Sequence, residues 1–149
     1  MTTVERTHSI PAAPDRVWGI LADFGSLSSW APNIDHSCLL TEQHEGVGTV
    51  RRVQVGRATL VETVVDWTPN EVLSYEIAGL PPMLGRVTNR WTLEAERDGT
   101  KVTLTTDIDG GGRLLTRPAT SVAGRKFGSA SDEMIAGLTE HIDALEASS

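Results

Sequence analysis

The sequence predicts an α+β domain: a curled antiparallel sheet packed against one long C-terminal helix. Three observations carry this expectation. Across residues 35–109 apolar and polar positions alternate with period two, in six runs divided by turn-forming segments. The closing stretch, EMIAGLTEHIDALEA, instead repeats its apolar residues at helical spacing. A first alternating run, TTVERTHSI, stands apart and leads into a helical segment, so the order is strand, helix, helical turn, six strands, long helix. A meander of this kind curls, and one amphipathic helix must cover its apolar face. Where the helix cannot fill the whole concavity, a hollow remains, and that hollow is the place to look for function.

Each element has its own local reason. TTVERTHSI ends at Pro11, and PAAPDRVWGILADF follows as a helix with Pro14 at an early position and Val17, Trp18, Ile20 and Leu21 as its apolar stripe. GSLSSWAPNI is a short helical turn or loop, broken by Pro32. The strands are DHSCLL, GTVRRVQV, ATLVETVVDW, VLSYEI, RVTNRWTLEAE and KVTLTTDI, separated by EGVG, GR, TPNE, GLPPMLG and RDGT. DIDGGGR reads as a flexible hinge. The final helix carries Met134, Ile135, Leu138, Ile142 and Leu145 on one face. Pro118, Gly124 and Gly128 each weaken a helix, so a break or kink is expected between residues 114 and 126.

A length of 149 residues suits one domain with one sizeable core, spanning residues 1–149 with no internal repeat or linker. No apolar run approaches the ~18–20 residues that cross a bilayer, and the opening MTTVERTHSIPAAPDRVW lacks the pattern of a secretory signal. Stable membrane insertion is therefore not expected. A single cysteine, Cys38, leaves no internal disulfide and fits a reducing cytoplasm. The net charge of −7 argues against nucleic-acid binding, which needs a basic surface. It suits a soluble monomer or homodimer. No metal-ligand spacing, nucleophile elbow or phosphate-cradling loop stands out, so no metal or cofactor is expected.

The stretch TVRRVQVGRATLVETVVDW places charges among valines. Gly56-Arg57 divides two alternating runs, and glycine in the first central position is the signature of a type II′ hairpin turn, which fixes the register. Counting outward, Val55 faces Ala58, Val53 faces Leu60, Arg51 faces Glu62 and Thr49 faces Val64. Opposed residues share a sheet face. Arg51 and Glu62 thus form a cross-strand pair among apolar neighbours on the concave side. Two readings stand: the pair neutralises itself and pins the hairpin, or Arg51 offers spare donors to an oxygen-bearing ligand while Glu62 holds it in place. The same parity turns Leu73, Tyr75, Ile77, Val87, Asn89, Trp91, Leu93, Val102, Leu104, Thr106 and Ile108 inward. From the helix come Phe127, Ser131, Met134 and Leu138. Most are simply core, but Tyr75 and Asn89 carry polar tips that need partners. His8, His36, His44 and His141 read as solvent-facing or locally bonded. The segments AGLPPMLG (78–85) and SLSSWAPN, with Trp30, read either as gates at a cavity mouth or as plain rigid turns.

Taken in order, IPAAPDRVWGILADFGSLSSWAPNI, GVGTVRRVQV, VETVVDWTPNEVLSYEI and RWTLEAERDGTKVTLTTDID with a final helix resemble the bacterial polyketide cyclase/dehydrase-like branch of the START-like superfamily, over about residues 3–146. The resemblance implies a helix-grip fold: a seven-stranded antiparallel sheet round a C-terminal helix, with two short helices after the first strand. It implies a cavity between sheet and helix for a hydrophobic or amphipathic molecule, a lipid or a polyketide-like compound. Candidate ligand-binding residues are Trp30, Arg51, Val53, Leu60, Glu62, Tyr75, Asn89, Trp91, Phe127 and Met134. By likeness to cyclases, Arg51 would act as electrophilic anchor, Glu62 as orienting group or base and Tyr75 as proton donor. A binder is the main expectation, a cyclase or dehydratase the second, and a protein-interaction module the third.

Overall fold

The computed structural model describes residues 2–110 and 117–148, with residues 117–123 by backbone alone. The chain runs β1 (Thr2–Ile10), α1 (Pro14–Ala22), a 3₁₀ helix (Phe24–Ser29), β2 (His36–Leu39), β3 (Val50–Val55), β4 (Ala58–Thr68), β5 (Val72–Ala78), a 3₁₀ turn (Pro82–Leu84), β6 (Val87–Glu96), β7 (Gly99–Ile108) and α2 (Arg117–Ala147). Its seven strands form one antiparallel sheet in the order β1-β7-β6-β5-β4-β3-β2. Strands β2 to β7 are a plain meander, and β1 closes the order by pairing with β7 from Thr2↔Ile108 to Ile10↔Thr100. This is the α+β helix-grip arrangement, with two short helices after the first strand.

The β3–β4 hairpin has the register that its turn dictates: Val55↔Ala58, Val53↔Leu60 and Arg51↔Glu62. Gly56 has φ +57, whereas Arg57 does not adopt a positive φ, which is the type II′ geometry. Beyond the listed ladder the Val64 N–H still donates to the Thr49 carbonyl, at 2.9 Å. Period-two counting fails farther along β4. A bulge between Val64 and Asp66 turns Val65 out to solvent, at 42% exposure, and brings Trp67 round opposite Leu73. There the Trp67 ring packs edge-on against Trp18 of α1, with centroids 5.1 Å apart.

Two expectations about the last helix need correction. From Arg117 onward α2 runs unbroken through Gly124 and Gly128, so no break lies in that part; residues 114–116 of the expected break, and 111–113 of the expected hinge, lie outside the described residues. The glycines mark close approach instead. A Cβ on Gly128 would run into the Arg6 guanidinium of β1, and one on Gly137 into the Trp30 carbonyl and Pro32. Leu145 is 44% exposed and leaves the apolar stripe, because residues 143–148 are exposed throughout. Met134, Ile135, Leu138 and Ile142 are buried in the core with Val17, Trp18 and Leu21 of α1 and the inward residues of β5, β6 and β7.

Candidate functional site

Between the concave face of the sheet and α2 the core does not close. A hollow of about 760 Å³ remains, well within the range for small-molecule sites. Its walls are built from inward positions of consecutive strands: Val53 and Val55 of β3, Leu60 and Glu62 of β4, Tyr75 and Ile77 of β5, Asn89 of β6 and Thr106 of β7. Helix α2 supplies Phe127, Ala130, Ser131 and Met134 at one-turn spacing, with Lys126 beside them. The two loops suspected as gates supply the rest. Leu80, Pro81, Met83 and Leu84 come from the β5–β6 connection, and Leu27, Asn33 and Ile34 from the segment between α1 and β2. Met83 is 58% exposed while Leu84 beside it is buried, so this connection covers the hollow with one residue plugged inward. It is held at its far end by a reciprocal contact: the Arg86 N–H donates to Asp109 Oδ1 at 2.8 Å, and the Asp109 N–H to the Arg86 carbonyl at 3.0 Å.

The charged pair sits at the inner wall. Arg51 Nε donates to Glu62 Oε1 at 2.7 Å, and Arg51 Nη1 to the Phe24 carbonyl at 2.9 Å. The guanidinium carbon lies 3.7 Å from the centre of the Phe24 ring and 4.6 Å from that of Tyr75, in the angle between two rings that meet edge to face. Arg51 is therefore engaged by an acid, a carbonyl and two aromatic faces, and it is not among the residues lining the hollow. Glu62 is. With one oxygen on Arg51, its other oxygen accepts no hydrogen bond from the described residues.

Tyr75 lies in the wall beside it, 0% exposed, with its hydroxyl oxygen accepting from Asn89 Nδ2 and from Trp91 Nε1, both at 3.3 Å. Burial holds the Tyr75 phenol above its ordinary pKa of 10.0, and the Glu62 carboxylate pushes the same way; Arg51 and the two donors oppose this. Asn89 in turn accepts from the Thr106 hydroxyl at 2.6 Å. Thr106, Asn89, Tyr75 and Trp91 thus form one chain of bonds across β5, β6 and β7.

The exposures rank these groups toward a ligand: Asn89 8%, Glu62 5%, Arg51 2% and Tyr75 0%. Asn89 and Glu62 present surface, while Arg51 and Tyr75 stand behind them as supports. Val53, Leu60, Phe127 and Met134 line the hollow as well. Trp30 and Trp91 do not; they pack edge to face with centroids 6.0 Å apart, and Trp30 Nε1 has no hydrogen-bond partner among the described residues. Sequence reasoning missed Asn33, whose Oδ1 is buried without a partner on the hollow's wall. The signal available was an amide closing the otherwise apolar SLSSWAPN segment.

Comparison with known proteins agrees with this architecture. No curated protein matches the chain. Among solved structures, the Zhui aromatase/cyclase from a Streptomyces species is similar with a TM-score of 0.78 at 22% identity, over 95% of this chain and 93% of that one. A START superfamily protein from Mycobacterium smegmatis gives 0.77 at 15%, over 96% and 98%. The di-domain aromatase/cyclase StfQ of the steffimycin pathway gives 0.78 at 14%, over 97% of this chain and 51% of that one. At such identities these likenesses speak for the fold. In sequence, residues 1–143 match the family described as polyketide cyclase/dehydrase and lipid transport, and the chain belongs to that family.

Proposed function

We propose that this protein binds a hydrophobic or amphipathic small molecule, a lipid or polyketide-like compound, in the hollow between the sheet and α2. One observation carries the reading: about 760 Å³ is left open behind a mainly aliphatic wall, in a core otherwise packed tightly enough to bury twenty-five apolar side chains. A void of that size would cost far too much stability if it were a packing fault, since each Å³ of empty cavity costs on the order of 20 cal/mol. Tightening of the core by substitution offers the test. Ala130 lines the hollow from α2, and Ala130→Trp should fill it. Uptake of a neutral solvatochromic dye such as Nile red should fall at least tenfold in that variant with the far-UV spectrum unchanged. Equal uptake by both proteins would place binding elsewhere.

A second reading is favoured by Glu62, whose unbonded oxygen meets the hollow beside the Asn89 amide. In a cyclase or dehydratase it would act as base, removing a proton next to a carbonyl held by Asn89, with Arg51 orienting the carboxylate and Tyr75 holding Asn89 in place. Glu62→Gln would then keep ligand affinity and lose turnover of a polyketone substrate.

A further inference from the structure

We infer that the inner end of the hollow selects a neutral ligand bearing a hydroxyl next to a carbonyl oxygen and turns carboxylates away; this rests on the small-molecule reading above. The sign of the charge that meets the ligand decides it. A buried arginine beside an apolar cavity suggests a site for acids, but here the cation is withdrawn. Arg51 gives its Nε to Glu62 and an Nη1 proton to the Phe24 carbonyl, covers the Phe24 ring at 3.7 Å, and does not line the hollow. The group that does is its partner carboxylate, with one oxygen unbonded among the described residues.

The neighbouring amides complete the pattern. The Thr106 to Asn89 distance of 2.6 Å is short for an N–H donor and ordinary for O–H to O, which puts the amide oxygen of Asn89 at Thr106 and its nitrogen toward Tyr75. One Nδ2 proton serves Tyr75 at 3.3 Å, and the second is left for a ligand oxygen. Asn33 Oδ1, buried on the same lining without a partner, is a further acceptor. The polar lining therefore offers two acceptors, Glu62 and Asn33, and one donor, Asn89. A ligand hydroxyl satisfies Glu62 by a charge-assisted bond, and a carbonyl satisfies Asn89. A ligand carboxylate brings no proton for either acceptor and sets a second negative charge beside Glu62 in apolar surroundings. Lys126, the other charged lining residue, is exposed, so an acid finds a cation only at the solvent side.

Isothermal titration of the intact protein with three probes of equal chain length tests this: dodecanol, dodecanoate and a twelve-carbon β-hydroxy ketone. The hydroxy ketone should bind about a hundredfold more tightly than dodecanoate, roughly tenfold for each hydrogen bond gained. Asn89→Ala should weaken the hydroxy ketone about tenfold and leave dodecanol unchanged, and Glu62→Gln should strengthen dodecanoate at least tenfold. Dodecanoate binding the wild type as tightly as the hydroxy ketone would overturn the inference while leaving the binder reading intact, whatever the variants do. Failure of all three probes to bind would overturn the small-molecule reading itself.

Discussion

Replacing Arg51 by methionine keeps the length of the side chain and removes its charge, which leaves the Glu62 carboxylate buried with no cation and the Phe24 carbonyl without its donor. The two side chains of the pair are only 3% and 7% exposed. Breaking so buried a pair by losing one partner costs about 3–5 kcal/mol. Direct attraction gives a similar figure, about 4 kcal/mol for charges ~4 Å apart at an effective dielectric constant of ~20. Loss of the guanidinium from the Phe24 and Tyr75 rings adds to it. Against the ~5–15 kcal/mol of a typical domain this is a large share, and it corresponds to a fall in Tm of roughly 6–20 °C at this chain length. Removing both charges in Arg51→Met with Glu62→Met should recover most of the loss, since a buried pair exchanged for apolar groups of similar volume is often neutral. Urea unfolding followed by tryptophan fluorescence measures both. A cost below about 1 kcal/mol for the single variant, or a double variant as unstable as the single, would refute the argument that the pair is dry and mutually satisfied.

Further outcomes follow from other parts of the molecule. Tyr75 is the chain's one tyrosine, so tyrosinate absorbance reports on it alone. Its folded pKa is raised, chiefly by burial, so the neutral phenol's share of stability is complete below pH 10.0 and disappears as pH rises through the folded value. Native protein should therefore ionise at higher pH than urea-unfolded protein, and coincident titrations would contradict the burial of the ring. Gly137→Ala should destabilise by about 1–3 kcal/mol, because the new methyl meets the Trp30 carbonyl and Pro32. Gly19→Ala in α1 has open space and should instead stabilise by about 0.5–1 kcal/mol, both changes being read by thermal unfolding. In the hairpin, Gly56→Val places a β-branched residue at φ +57 and should cost about 1–2 kcal/mol by the same assay.

How much of this was legible in the sequence depends on range. Period two and the Gly56-Arg57 turn are local signals, and they carried the strand order, the Arg51↔Glu62 pairing and the inward set on β5, β6 and β7. Counting parity could not see the bulge at Val65, because a bulge adds a residue without changing composition, and so Trp67 turned inward unannounced. Gly124 and Gly128 looked like helix breakers because propensity is intrinsic to the residue. Their role depends on β1 crossing close by, which no local pattern records. The candidate site divides in the same way. Register placed Arg51 and Tyr75 on the concave face, yet it could not say that the Phe24 carbonyl and ring, twenty-seven residues from Arg51, would occupy the guanidinium. Nor could it tell which of the inward polar tips would border open space, and Asn33, in a loop with no periodicity, was invisible to it.

The claim that everything else rests on is that the hollow is occupied by a small molecule in the working protein. Native mass spectrometry of freshly purified protein, compared with the denatured mass, tests it most directly. A noncovalent adduct on the order of a few hundred daltons, released on denaturation and absent from Ala130→Trp, is the expected result. Bare protein in both spectra, together with no uptake of added hydrophobic probes by the wild type, would contradict the account.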